Sequence, residues 1–160
     1  MLKSTDEAPP LVAEDRLSAV EKELGVRFPD SYGDFLLKHN GGRPSHSYFL
    51  ANDGKESQWM RIHFFFSIDD PCESNDLLWT NSILRDRLPK GILAIAGDEG
   101  GAVFCLDLRE HCDGPVLFWD TASWEDRPSG AGNPWFQIVD SFDGWLGELV
   151  ETPDTTRAPF

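Results

Sequence analysis

The sequence is poor in cysteine. Its three cysteines, Cys72, Cys105 and Cys112, are odd in number and share no C-x-x-C spacing. That excludes a disulfide framework and fits thiols kept reduced in a cytosol. Long apolar runs are missing too: no stretch approaches the ~20 apolar residues that span a bilayer. The opening residues, MLKSTDEAPP, lack the apolar core of a signal peptide, so a cytoplasmic protein is expected. Basic residues are scarce, with 14 Lys and Arg against 28 Asp and Glu, a net charge of −14. The deficit is uneven. From Gly91 onward thirteen carboxylates face only Arg109, Arg127 and Arg157. Such a surface repels phosphate backbones and anionic membranes and attracts cationic partners. It also keeps a protein soluble, with no partner involved.

Catalytic and ligand-binding patterns are absent as well. The histidines are His39, His46, His63 and His111, with no H-x-x-x-H pair among them. The one local cluster of ligand types, His111-Cys112-Asp113, consists of adjacent residues that do not readily converge on one ion, so it reads as a polar turn. No G-x-S-x-G elbow occurs. The stretch Gly97-Asp98-Glu99-Gly100-Gly101 has glycines but lies between two strands and carries acids where an anion would sit. It also lacks the alternating acids of a calcium loop. Nothing singles out two of the 28 acids as a glycosidase-like pair. No metal, cofactor or catalytic residue is therefore expected, and the chain does not read as an enzyme. Direct nucleic-acid binding is disfavoured too, because the tryptophans sit among acids: Asp120 follows Trp119, and Glu125-Asp126 follows Trp124.

What the sequence does contain is organised around residues 25–44, GVRFPDSYGDFLLKHNGGRP. Leu17, Val20 and Leu24 share one face of a preceding helix over 12–24, which Gly25 ends. Pro29 suits the first turn of a second helix over 30–39, with Tyr32, Phe35 and Leu36 on its apolar face. Asn40-Gly41-Gly42 supplies left-handed residues for the exit, and Pro44 blocks continuation.

Beyond it, the pattern predicts strands over 48–50 and 60–68, joined through a turn at 52–55. A third helix follows, capped by Asn75 or Asp76 and running to about 88. Strands over 92–96 and 102–108 flank the 97–101 hairpin turn, and 116–119 is the last clear strand. Residues 121–134 read as a Gly/Pro/Trp loop, and 138–150 as a final helix carrying Phe142, Trp145, Leu146 and Leu149. The sum is one α+β domain of 160 residues: an antiparallel sheet flanked by helices, with a core over 12–150 and loose ends at 1–10 and 151–160.

Two blocks, 25–44 and 92–120 (ILAIAGDEGGAVFCLDLREHCDGPVLFWD), resemble the SMI1/KNR4 (SUKH) family in the family's order. Gly25, Pro29, Tyr32, Phe35, Leu36, Asn40, Gly41, Gly42 and Pro44 fit its helix-pair motif. Gly97, Asp98, Gly101, Phe104, Gly114, Val116 and Trp119 fit its sheet motif. The resemblance covers roughly residues 14–145. It implies the same α+β architecture and a binding role. Bacterial members commonly sit beside polymorphic toxins and neutralise them stoichiometrically, often nucleases with basic clefts. An immunity protein, expected to be monomeric, that plugs a cationic protein toxin with its acidic surface is one expectation. A regulatory protein-interaction module without a toxin partner is the other.

The loops 69–76, 97–101 and 119–135 combine carboxylates with aromatic side chains, as a protein-binding face does. Candidate partner-binding residues are Asp69, Asp70, Glu73, Asp98, Glu99, Trp124, Glu125, Asp126 and Trp135. Trp119 and Trp145 are expected in the core. For Trp124 and Trp135 the sequence leaves core and surface equally open.

Overall fold

The computed structural model of the chain describes residues 10–52, 57–110, 114–119 and 135–153. Helix α1, Glu14–Leu24, and helix α2, Asp30–His39, form the expected pair. Gly25 closes α1 in the left-handed conformation (φ 69°), its N–H bonding back to Lys22 O. Glu21 Oε2 accepts from Phe28 N at 2.9 Å, bracing the link to α2. Strands β1, Tyr48–Asn52, and β2, Ser57–Arg61, make an antiparallel hairpin. A second antiparallel sheet is built in the order β3 (Phe64–Phe65), β4 (Ile92–Gly97), β5 (Val103–Asp107), β6 (Val116–Trp119), β7 (Trp135–Val139). Helix α3, Leu77–Ile83, follows a short 3-10 turn at Glu73–Asn75, and α4, Phe142–Glu148, follows β7.

Four sequence expectations are corrected. The apolar run 60–68 is two strands in two sheets, broken at Ile62-His63, because β2 belongs to the hairpin while Phe64 and Phe65 pair with Gly97 and Ala96. Helix α3 stops at Ile83 rather than near 88. Leu84 leaves the helix and the chain continues as turns to β4. A strand, β7, lies where a helix start was expected, so Ile138 and Val139 are sheet residues and α4 begins only at Phe142. Ser141 explains that late start: its Oγ accepts from Gly144 N at 3.1 Å and caps the helix. Trp135, placed by sequence in a loop, opens β7 and pairs with Trp119.

The sheet's centre is apolar on both faces, as every residue of β4 is buried. Over one face lies an aromatic cluster. Trp145 touches Phe49, Phe65, Phe104 and Phe142, and Tyr32 meets Phe142 edge-on at 5.1 Å. Trp119 and Trp145 are fully buried, as expected.

Strand β3 is only two residues long, and two asparagine side chains complete what a longer strand would have done. Asn40, the left-handed C-cap of α2 (φ 46°), accepts from Ile68 N at 2.8 Å and donates to Ile68 O at 2.9 Å and Pro10 O at 2.8 Å. Its amide pairs with the chain beyond β3 as a neighbouring strand would. The next residues continue the seam, since Gly42 exchanges both backbone bonds with Phe65. A Cβ on Gly41 would lie 2.4 Å from Phe66 O, so only glycine fits. Asn81 of α3 does the same at Ala94 of β4, where the ladder shifts register. It accepts from Ala94 N and donates to Ala94 O and Leu77 O, each at 2.9 Å.

Asn40 is fully buried, so its loss leaves Ile68 and Pro10 backbone groups without their partner. Asn40→Ala should lower unfolding free energy by about 2–4 kcal/mol, and Asn40→Asp by at least as much, because a carboxylate cannot donate to the two carbonyls. Urea denaturation at neutral pH checks both. A loss below about 0.5 kcal/mol, the scale of an ordinary surface change, would contradict this reading.

Candidate functional site

Five of the seven carboxylates singled out by sequence fall in two described loops, and most of those five have work inside the fold. In 69–76, Asp69 adopts a left-handed backbone (φ 59°) and forms a bidentate pair with Arg16 of α1, Nε to Oδ2 at 2.9 Å and Nη2 to Oδ1 at 2.8 Å. The Arg16 hydrogen bond holds the Asp69 carboxyl below its ordinary pKa. Asp70 Oδ1 accepts from Cys72 N at 2.8 Å, a local turn that shapes the loop. Asp76, one of the two caps proposed for α3, is the residue that does it. Its Oδ2 accepts from Trp79 N at 2.9 Å, while Oδ1 accepts from Asp70 N at 3.1 Å. Glu73 is exposed and has no side-chain partner among the described residues.

In the 97–101 turn, Asp98 Oδ1 accepts from Gly100 N at 2.9 Å and Ala102 N at 2.8 Å, so its carboxylate closes the hairpin. Glu99 points outward and pairs with Arg61 of β2 at 3.0 Å, whose guanidinium sits 5.2 Å from the centre of the Tyr48 ring. Trp124, Glu125 and Asp126 lie outside the described residues, and of Trp135 the structure describes its place in β7.

The two described loops are not adjacent. Phe65 pairs with Ala96 and Phe66 N bonds Ile95 O, so the chain from 64 to 69 runs antiparallel along β4, away from the 98–101 turn. They flank opposite ends of the strand, separated by six residues of β4, roughly 20 Å at ~3.3 Å per residue. A partner of standard interface size, ~800 Å² per side and so about 30 Å across, has the reach to touch both.

Sequence reasoning did not find the cations that tie down these acids. Arg16 and Asp69 are 53 residues apart, and Arg61 and Glu99 are 38 apart, with no local pattern to announce either pair. It also missed an open groove of about 730 Å³ between the end of α1, α3 and the chain leading to β4. Trp79, which is 37% exposed, lines it together with Lys22, Arg85 and Lys90. Among the described residues no group of three or more His, Cys, Asp or Glu is arranged to hold a metal, and no helix is long and apolar enough to cross a membrane.

What this describes is an α+β domain with two charged loops and an open groove. The SMI1 / KNR4 family (SUKH-1) model matches residues 11–148, and the chain belongs to that family of immunity-type, protein-binding domains. Over 161 aligned residues it is 26% identical to the SPbeta prophage-derived uncharacterized protein YokK of Bacillus subtilis (strain 168), covering 91% of this chain and 78% of that protein. The fold is shared with a protein of Pseudomonas syringae pv. tomato known from its crystal structure, with a TM-score of 0.51 and 21% identity over 74% of this chain and 75% of that one.

The Arg16–Asp69 pair gives a pH signature. A carboxyl whose folded pKa is depressed contributes stability that is present above its ordinary pKa and lost as pH falls through the folded value. Arg16→Gln should therefore cost about 0.2–1 kcal/mol at pH 7, the range for exposed pairs, since Asp69 is 54% exposed. The gap between variant and wild type should close as pH drops below about 4. Urea curves of both proteins across that range test it, and a gap that persists at low pH would show that Arg16 stabilises by packing instead.

Proposed function

We propose that this chain is an immunity protein that binds a cognate bacterial toxin one-to-one in the cytoplasm and occludes its active cleft. Membership of the SUKH-1 family carries the reading, and the −14 charge gives it a direction. A toxin that cleaves nucleic acid needs a cationic cleft to hold phosphates. An acidic protein fills such a cleft by the same attraction and associates quickly because the fields are complementary. No chemistry by this chain is required. The prophage origin of its Bacillus relative suits a setting in which toxins and their antidotes travel together.

The structure also decides which acids make informative variants. Asp69 and Asp98 hold the fold, so reversing them confounds binding with stability. Glu73 and Glu99 project into solvent from the two described loops, and Glu125 with Asp126 extends the acidic set in sequence.

The experiment expresses the C-terminal domain encoded by the adjacent reading frame, with and without this chain. A one-to-one complex that restores growth and weakens in high salt is expected. Combined Glu73→Lys and Glu99→Lys should slow association several-fold at low salt while leaving the melting temperature within a few degrees. If the folded chain neither binds that domain nor restores growth, it is no antidote to it, and a regulatory module with an unlinked partner becomes the better account.

A further inference from the structure

The groove beside α3 has the opposite character to the rest of the molecule. Its floor is made of half-buried apolar side chains packed on the core, namely Leu24, Val26, Leu78 and Leu88. Trp79 stands at its edge with part of the indole exposed. Around the rim are Lys22, Arg85 and Lys90, all exposed and none of them in an ion pair among the described residues. The lining's single carboxylate, Glu23, lies 3.7 Å from Arg16 and is thereby partly neutralised. In a chain with twice as many acids as bases, three cations without ion pairs among the described residues, around one half-apolar trough, form a local reversal of sign.

The fold creates this trough. Helix α3 is short and ends at Ile83, and Asn81 draws it against β4. The chain over 85–91 then turns away before entering the sheet, which leaves open the space next to the end of α1. Lys22 and Arg85 sit at or just past the C-terminal ends of α1 and α3, where a cation also complements the helix dipole. That accounts for a positive residue at each position. It does not account for an apolar floor between them or for an indole left partly in water.

We infer that this groove binds an acidic amphipathic segment of a protein. An apolar side chain of the segment packs on the Leu78–Trp79 side, and carboxylates before and after it meet Lys22, Arg85 and Lys90. Charge complementarity selects the sign of the occupant. The apolar floor selects a peptide over a nucleic acid, because a phosphate chain gains nothing from leucines and would feel the surrounding negative field along its whole length. The groove borders the 69–76 loop, to which Arg16 ties its Glu23, but its own lining carries the opposite sign, and it does not require that the partner be a toxin.

A fluorescein-labelled peptide repeating Glu-Glu-Leu-Leu, titrated with the full chain and followed by anisotropy, tests it. Saturable binding is expected, weakened about tenfold or more by the triple variant K22E/R85E/K90E and also by Trp79→Ala. A Lys-Lys-Leu-Leu peptide, which can reach only the acidic surface, should not be weakened by the triple variant. All three cations are exposed, so the variant should keep its circular-dichroism spectrum and melt. If it does not, Lys22→Gln and Lys90→Gln singly should each give a graded loss. Binding of the Glu peptide that ignores these changes, or no binding, overturns the inference. Tighter groove binding by an oligothymidylate also overturns it and assigns the groove to nucleic acid. None of these outcomes depends on toxin binding.

Discussion

The fold depends on one buried amide. Asn40 ends α2, and its side chain is the hydrogen-bonding partner of Ile68 on both the donor and acceptor side, with Pro10 O as a third contact. Through it the second helix, the start of the described chain and the segment beyond β3 are fixed to one another. The motif that follows makes sense only around this seam. Gly41 has no room for a side chain, and Gly42 continues the pairing onto Phe65. Asn81 repeats the device on the other side of β3's short ladder and fixes α3 to β4. Buried amides that meet all their partners specify an arrangement more sharply than apolar contacts do, because any other register leaves polar groups unpaired. The aromatic cluster around Trp145 supplies much of the burial, while the asparagines decide where the elements sit.

Much of this was legible in the sequence where local signals and apolar period agreed. Gly25, Pro29 and Asn40-Gly41-Gly42 mark the helix pair by backbone chemistry alone, and the structure places α1 and α2 within two residues of the expected bounds. The glycine turn at 97–101 marked the β4–β5 hairpin in the same way. Failures came where one apolar run served two elements. Residues 60–68 look continuous, yet the chain leaves one sheet and enters another at Ile62-His63. Ile138 falls in helical register with Phe142 and Trp145, yet it lies in a strand, because Ser141 caps the helix after it. The candidate site was legible only as a list of acids. Asp76 was legible as a cap and Asp98 acts within its own turn, but that Arg16 and Arg61 oppose Asp69 and Glu99 depends on long-range contacts that no local pattern records.

The charge distribution links fold and function. Carboxylates dominate, and in the described loops the one the fold does not use is Glu73, while Glu99 is exposed but paired with Arg61. The structural acids give the loops a fixed shape and add to the field without being free to move. The cations are not spread evenly either. Arg16 and Arg61 brace acidic loops, while Lys22, Arg85 and Lys90 collect around the groove by α3. Among the described residues a partner therefore meets acidic loops and a groove rimmed by cations. Such a pattern favours a protein with surfaces of both signs over a uniform polyanion or polycation.

On the proposed function, complementary charge brings this chain to a cationic toxin domain. The most direct test is the association rate constant between the two, measured by stopped flow across ionic strength. A fast rate is expected at low salt, on the order of 10⁸ M⁻¹s⁻¹, falling toward about 10⁵–10⁶ M⁻¹s⁻¹ as salt rises, with little change in dissociation. An association rate that stays flat across the same range would contradict it, because exposed charges separated by more than about 10 Å are screened at 0.1 M salt. Binding would then rest on shape and apolar contact rather than on the acidic surface.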